Sequence, residues 1–130
     1  MEVKRVFAHL VAALWLLAAI PARAEWVKVI ETYEGWDYFD PTTIRRVGGL
    51  RRVWQMQDLK LREPSGELSR RLLGEYDCKE DRWRILSFTL HSGPLALGEI
   101  LANRSSEPSK WFDVAPGTVA ETLLRLVCTR

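Results

Sequence analysis

The sequence predicts an α+β fold, in which an antiparallel sheet of about six strands carries one C-terminal helix on one face. Three observations predict this class. Alternating apolar and polar runs, separated by turn residues, extend from residue 26 to residue 102. The apolar period then changes to helical spacing near the C-terminus. The chain of 130 residues is 47% hydrophobic and 28% charged, which is typical of a single globular domain.

Residues 1–24 are predicted to be a cleavable signal peptide. Lys4 and Arg5 precede an apolar run over residues 6–20, and Ala-Arg-Ala at residues 22–24 supplies a cleavage site. The run is shorter than the roughly 20 residues of a membrane span. No second apolar run follows it, and no cysteine directly after it could accept a lipid. We therefore expect one exported domain over residues 25–130, with no stable membrane anchor.

Six runs have the β-branched and aromatic composition of strands. Tight turns between most of them favour antiparallel pairing. One such turn is Asp40–Thr43, because Asp40 can cap it and Pro41 cannot donate to a strand ladder. The six runs cover residues 26–33, 36–39, 50–62, 68–78, 82–91 and 95–102, and residues 103–110 are expected to form a loop.

The apolar phase changes within the run over residues 50–62. Trp54 and Met56 share one face of this strand, whereas Leu59 and Leu61 share the other. This change predicts a bulge or a twist near Asp58.

The run over residues 82–91 has apolar residues in both phases. Leu86, Phe88 and Leu90 alternate along one face, whereas Trp83 and Ile85 fall on the other. Apolar groups on both faces predict that the second face is covered by a partner. The sequence therefore favours self-association into a homodimer.

The C-terminal segment has the pattern of a helix. Thr118 and Glu121 match a capping box, and Pro-Gly directly before it ends the preceding segment. Val119, Leu123 and Val127 then recur at helical spacing.

Cys78 and Cys128 are the two cysteines of the chain. In the oxidising compartment that an exported protein reaches, such a pair most economically forms one disulfide bond. Cys78 ends a predicted central strand and Cys128 ends the predicted helix, so the bond would hold the helix across the sheet. A reactive thiol pair is the alternative, although redox motifs usually place the two cysteines two residues apart.

Together these motifs resemble the bacterial surface-adhesin protein E-like domain. The resemblance covers the predicted mature chain from Trp26 to Cys128. Its most specific parts are the Asp-Cys pair before an aromatic and basic strand, and the closing segment with Trp, Pro-Gly-Thr and Cys. The matching positions are Trp54, Ser69-Arg70-Arg71, Asp77-Cys78, Trp83-Arg84-Ile85-Leu86-Ser87, Trp111, Pro116-Gly117-Thr118, Glu121 and Val127-Cys128.

The resemblance implies a small antiparallel sheet with a disulfide-bound C-terminal helix. It also implies a non-enzymatic role, namely adhesion to host matrix or serum proteins, together with dimerisation. No lipidated cysteine, anchoring helix or sorting signal is visible in the sequence. A periplasmic accessory or structural protein that binds bacterial envelope partners is therefore the alternative function.

Catalytic groups are sparse in the predicted mature chain. His91 is its one histidine, so the sequence supports neither a metal site nor a Ser-His-Asp arrangement. Glu75 and Asp77 could lie about 7 Å apart on one strand face. They are out of phase with Tyr76, so we expect a solvated row of charges on the face away from the helix. We predict no catalytic residue, cofactor or metal site.

Charge and aromatic residues supply the candidate contacts. Without residues 1–24, sixteen basic and sixteen acidic side chains remain, which does not support nucleic-acid or anionic-membrane binding. Residues 45–71 nevertheless hold eight Arg and Lys residues against three Asp and Glu. This segment is either a basic patch for an acidic partner or a set of ordinary solvated arginines. Because Trp and Arg are enriched in binding hot spots, the candidate protein-binding residues are Arg45, Arg51, Trp36 and Trp83.

Overall fold

The structure is a computed structural model that describes residues 23–129. The predicted signal peptide lies outside these residues, apart from its last two positions, and it stays a prediction. Eight strands and one long helix follow in chain order. They are β1 (Val27–Glu31), β2 (Gly35–Phe39), β3 (Arg45–Val47), β4 (Leu50–Leu59), β5 (Ser69–Asp77), β6 (Arg82–His91), β7 (Ile100–Arg104), β8 (Phe112–Asp113) and α1 (Val119–Cys128).

All of these strands join one antiparallel sheet. Six of them run side by side in the order β1-β2-β4-β5-β6-β7. The short strands β3 and β8 extend the pairing, because β3 pairs with β4 beyond the end of β2, and β8 pairs with the start of β6. The predicted α+β fold, with about six strands and a C-terminal helix, is confirmed.

A 3-10 turn over Pro41–Thr43 lets the chain leave β2 and pair again with β4 as β3. Asp40 is buried and caps this turn, since its Oδ1 accepts the Thr42 N–H at 3.0 Å. Its Oδ2 accepts the N–H of Glu25 at 3.0 Å, which ties the start of the described chain to the sheet. The capping role predicted for Asp40 is therefore confirmed.

The hydrophobic core lies between α1 and one side of the sheet, which we call the inner face. Its buried residues are Phe39, Val53, Tyr76, Leu123, Leu124 and Val127. The helix begins as predicted, because the Thr118 hydroxyl accepts the Glu121 N–H at 3.3 Å. The side of the sheet turned away from α1 is called the outer face below.

No helix in the described part of the chain is both long and apolar enough to cross a membrane.

The Cys78–Cys128 disulfide joins the end of β5 to the last residue of α1. The two Cα atoms are 5.8 Å apart, and the bond spans 50 residues of sequence. The predicted pairing is confirmed, and both cysteines are used for structure. The helix is thus held covalently over the inner face.

Of the two alternatives predicted near Asp58, a bulge or a twist, the bulge is wrong. Strand β4 pairs with β2 and with β5 in continuous register, including at Asp58 itself. The strand ends at Leu59, and Leu61 lies beyond it with 81% of its surface exposed. The apparent change of phase arose because Leu61 belongs to the following loop.

The prediction that the apolar residues of β6 lie on two faces is also wrong. A bulge at Leu86 shifts the alternation, so the two sets of apolar residues lie on the same face. Gly74 lies opposite Ile85, whereas Leu73 lies opposite Ser87, so Leu86 is the extra residue. Trp83 and Ile85 therefore share the inner face with Phe88 and Leu90. The covered second face that favoured a homodimer does not exist on β6, and self-association stays an untested prediction.

The last full strand is displaced from its predicted position. Residues 94–97 form a turn, in which the Leu97 N–H donates to the Pro94 carbonyl at 3.0 Å. Leu95 and Ala96 have positive φ angles of 56° and 58°, which strands do not adopt. Strand β7 consequently begins at Ile100 and takes in Asn103 and Arg104, which were expected in a loop.

Replacing both cysteines, as Cys78→Ser with Cys128→Ser, should lower the free energy of unfolding by about 4 kcal/mol. This value follows from closing a loop of 50 residues in the unfolded chain. Urea unfolding of the double variant measures it, and wild-type protein treated with dithiothreitol is the control. Equal stability of the oxidised wild type and the double variant would contradict stabilisation by the disulfide.

Candidate protein-binding face

The outer face of the sheet is lined by aromatic and basic side chains. Strand register decides which residues lie there, because side chains of directly opposed residues share a face. Arg71 lies opposite Met56, and Arg45 lies opposite Arg52. The same register places the following side chains on this face: Trp36, Tyr38, Arg45, Arg52, Trp54, Arg71, Arg82 and Arg84.

Cations lie directly over the tryptophan rings of this face. The Arg71 guanidinium carbon is 4.1 Å from the centre of the Trp54 ring. Arg84 and Arg82 lie 4.3 and 4.6 Å from the Trp111 ring, which folds over them from the segment before β8. Such cation–π contacts hold long side chains in one arrangement. The face is therefore pre-ordered, which lowers the entropy lost when a partner binds.

Trp36 forms a further cation–aromatic group at the β1 side of the face. Lys60 and Lys28 lie 5.3 and 5.8 Å from its ring centre. Lys60 also pairs with Glu31 at 3.0 Å. Hydrogen bonding to Lys60, followed by its charge, lowers the pKa of Glu31. This group is more exposed than the Trp54 and Trp111 groups, so solvent weakens its ion pair.

Glu75 lies beneath the arginines of the outer face and is fully buried. Its Oε2 accepts from Arg52 Nε at 2.7 Å, and its Oε1 accepts from Arg84 Nη2 at 2.6 Å. Burial alone would raise the pKa of Glu75, but the hydrogen bonds and charges of the two arginines outweigh it and hold the pKa below its usual range. The expected solvated row is therefore wrong at Glu75, although its predicted face is correct.

Asp77 is also buried and already fully engaged. Its side chain accepts from Arg82 Nε at 3.1 Å and from the backbone N–H groups of Lys79 and Glu80 at 3.2 Å. Burial raises its pKa, but the bonds from Glu80, Arg82 and Lys79 lower it further than burial raises it. Asp77 thus serves to turn the chain and to hold Arg82, and it is not part of a solvated row.

His91 lies at the far end of the sheet from these carboxylates. It is the last residue of β6, opposite Ser69, whereas Asp77 lies opposite Arg82 at the first residue of β6. His91 is 6% exposed, and its Nε2 is 2.8 Å from the Thr89 hydroxyl. Burial, followed by the charge of Arg71, lowers its pKa. The structure therefore does not bring Glu75, Asp77 and His91 together, and residues 23–129 contain no cluster of three metal-ligating side chains.

The four predicted contact residues do not form one surface. Trp36 and Arg45 lie on the outer face. Arg51 lies opposite Tyr76 on the inner face. Trp83 stacks on Tyr76 with ring centres 6.0 Å apart, and it packs against the core. A direct role of any of the four in binding stays a prediction.

Sequence reasoning missed Trp54, Arg71, Arg84 and Trp111 as members of one face. Trp54 and Arg71 lie on neighbouring strands, and only the β4–β5 register brings them together. Arg84 and Trp111 meet because residues 109–112 return along β6. Alternation along β4 is the one signal in the sequence, since Trp54 is out of phase with Val53 of the core.

The arginine pairs divide between the two faces, because adjacent residues of a strand point to opposite sides of the sheet. In the β3–β4 hairpin, Arg45 lies opposite Arg52, and Arg46 lies opposite Arg51. Like charges directly opposed across strands are destabilising. Glu75 neutralises Arg52, but Arg45 and Arg46 are exposed with no acidic partner among residues 23–129. This hairpin therefore gives the sheet a strongly basic end.

Comparison with known protein families identifies the family of this chain. The sequence profile of the family described as surface-adhesin protein E matches residues 26–129. The chain belongs to this family. The resemblance inferred from the motifs is thereby confirmed, and so is its expectation of a disulfide-bound helix on an antiparallel sheet.

Solved structures of Haemophilus influenzae protein E have a similar fold. A crystal structure of Haemophilus influenzae protein E (crystal form II) matches with a TM-score of 0.64 and 13% identity, over 84% of this chain and 91% of that chain. Protein E from non-typeable Haemophilus influenzae matches with a TM-score of 0.61 and 13% identity, over 84% of this chain and 78% of that one. A comparison with curated proteins found no match. Membership of a surface-adhesin family implies an exported protein that acts by binding.

Glu75→Gln should lower the free energy of unfolding at pH 7 by about 1.5–3 kcal/mol. The neutral amide can accept from only one of the two arginines, and its NH2 group faces the donor of the other. The folded pKa of Glu75 lies below its unfolded value, so this stabilisation is complete above about pH 4.3. It is lost as the pH falls through the folded value. Urea unfolding at pH 7 and pH 3 measures both effects, and the exposed Glu107→Gln is the control. A stability difference that stays constant down to pH 3 would contradict this role.

Proposed function

We propose that this domain is an adhesin that binds acidic surfaces of host matrix or serum proteins through the outer face of its sheet. The observation that carries the proposal is the set of arginine-on-tryptophan stacks at Trp54 and Trp111. Family membership supports the binding role. The binding surface itself is proposed from the side chains of the outer face.

The composition of the outer face suits a protein interface. Trp, Tyr and Arg are enriched in the energetically dominant centres of protein interfaces. Trp36, Tyr38 and Trp54 occupy neighbouring positions on β2 and β4, and Arg71 continues the row on β5. The large half-buried rings offer apolar contact at low entropic cost, because each has only two side-chain torsions.

The charge of this face favours an acidic partner. Glu75 and Asp77 are buried beneath their arginines, so solvent meets the guanidinium groups rather than the carboxylates. Arg45 adds an exposed charge without an acidic neighbour. A partner's carboxylates would complete ion pairs on this face and would be steered towards it by the local field.

The β3–β4 hairpin provides a matched pair of variants for testing the face. Arg45→Glu and Arg46→Glu change the net charge equally, and both residues are exposed neighbours. Arg45 lies on the outer face and Arg46 on the inner face. We expect Arg45→Glu to weaken binding to immobilised matrix and serum proteins at least threefold at low salt, and Arg46→Glu to weaken it much less. Biolayer interferometry at two salt concentrations measures both.

Equal losses for the two arginine variants would show that net charge, rather than the outer face, governs binding. Trp54→Ala supplies a second measurement that does not depend on charge. A hot-spot tryptophan should cost about 2 kcal/mol or more in binding free energy, which is roughly a thirtyfold weaker complex. Wild-type affinity in Trp54→Ala would remove the proposed surface.

The proposed role also requires the domain to be accessible from outside the cell. Protease treatment of intact cells should remove an antibody epitope placed at the C-terminus. A cytoplasmic protein and a periplasmic protein are the controls for intact membranes. Release of the uncleaved domain by osmotic shock alone would instead favour the periplasmic accessory role.

A further inference from the structure

The inner face is only partly covered by the helix. An α-helix of ten residues is about 15 Å long, whereas a strand of nine residues such as β5 is about 30 Å long. A cavity of about 410 Å³ remains beside the N-terminal half of α1. Pockets that bind small molecules have volumes of about 300–1,000 Å³. The cavity lies on the opposite side of the sheet from the proposed protein-binding face.

The walls of this cavity are mainly apolar and aromatic. Val119, Ala120 and Leu123 line it from the helix, and Leu72 lines it from the sheet. Tyr76 and Trp83 form a stacked aromatic wall, and Tyr33 lies at the rim with 88% of its surface exposed. Such walls bind hydrocarbon groups, and the faces of aromatic rings attract cations.

Asp37 lines this cavity with a carboxylate oxygen that has no hydrogen-bond partner among residues 23–129. It lines the cavity from β2, between Ile30 on β1 and Gln57 on β4. The oxygen is Oδ2, which is shielded from solvent. A buried acceptor without a donor destabilises the fold. A cationic ligand in the cavity would offset part of that cost by stabilising the charge of the Asp37 carboxylate.

The charged neighbours of Asp37 leave the cavity with an excess of negative charge. Glu34 lies at the rim and adds a second carboxylate. Arg70 also lines the cavity, but it is engaged by Glu67 at 3.2 Å, by Glu63 at 3.6 Å and by Gln57 at 3.1 Å. The helix contributes no charged side chain to the lining. Burial, and secondarily the charge of Glu34, raise the pKa of Asp37 to about 6, so the carboxylate is ionised at neutral pH.

We propose that this cavity binds a small primary ammonium compound with an apolar chain. The Asp37 carboxylate attracts the ammonium group, and the aromatic wall of Tyr76 and Trp83 lies beside the cation. The chain packs on Leu72, Ala120 and Leu123. The cavity distinguishes such a ligand from an alcohol by charge and from a carboxylate by repulsion at Asp37 and Glu34.

Hexylammonium, hexanol and hexanoate share one chain and differ in the head group, so they form a matched set of probes. Titration followed by NMR of the isotope-labelled mature domain measures each affinity and locates the site. We expect hexylammonium to bind at least tenfold more tightly than hexanol, since hydrogen bonds to charged groups are the strong ones. We expect hexanoate to bind most weakly. The chemical shift changes caused by hexylammonium should be confined to the residues that line the cavity.

Asp37→Asn tests the carboxylate directly. It should reduce the affinity for hexylammonium about tenfold and leave that for hexanol unchanged. Asp113→Asn is the control, because it removes an equal charge from exposed strand β8. Lowering the pH from 7.5 to 5 should weaken hexylammonium binding to the wild type as Asp37 gains a proton. The charged groups that face Asp37 from the neighbouring elements are Glu34 and Arg70.

Folding of the variants is checked by thermal unfolding. The folded pKa of Asp37 is raised above its unfolded value, so its ionisation destabilises the fold as the pH rises from about 4 to 6. Asp37→Asn should therefore raise the Tm at pH 7.5 and have little effect at pH 4. Ala120→Leu fills the cavity from the helix without removing Asp37, and it should weaken binding of both hexylammonium and hexanol.

Equal binding of hexylammonium and hexanol would overturn the proposal, as would full affinity in Asp37→Asn. So would chemical shift changes that map to the outer face, or no binding of hexylammonium at millimolar concentration. None of these results bears on the adhesin role, which is tested on the other side of the sheet.

Discussion

The disulfide between Cys78 and Cys128 holds the helix against the apolar side of this sheet. It joins the end of β5 to the end of α1, so the apolar side of the helix is held against Tyr76 and Val53. A ten-residue helix would be marginally stable alone. Fixing it on the inner face leaves the outer face without a covering helix. The bond therefore fixes which side of the sheet holds the core and which side carries the proposed binding surface.

The outer face brings positively charged side chains close together. Arginine side chains lie opposite and beside one another across β3, β4, β5 and β6, and their repulsion must be compensated. Buried Glu75 and Asp77 pair with Arg52, Arg84 and Arg82 from beneath. Tryptophan rings lie against Arg71, Arg82 and Arg84 in cation–π contacts. The same arrangement that stabilises the folded domain presents flat guanidinium groups to solvent. Such a display suits the recognition of acidic protein surfaces that we propose.

Sequence patterns predicted the architecture better than they predicted the surfaces. Turn residues, the helical period and the paired cysteines each depend on local chemistry, and they predicted the antiparallel sheet, the C-terminal helix and the disulfide correctly. The short strands β3 and β8 were not predicted. Face assignments depended on unbroken alternation, and the bulge at Leu86 reversed them for Trp83 and Ile85. Burial of Glu75 required two arginines from different strands. The Trp54 and Arg71 contact likewise required the β4–β5 register, which no local pattern specifies.

Oxidative footprinting of the tryptophans tests the division into two faces most directly. The mature domain is oxidised alone and in complex with a bound matrix or serum protein, and mass spectrometry reports the modification of each tryptophan. Binding through the outer face predicts protection of Trp36, Trp54 and Trp111, with Trp83 unchanged. Protection of Trp83 while Trp54 stays fully reactive would contradict the account, because the partner would then occupy the helix side of the sheet.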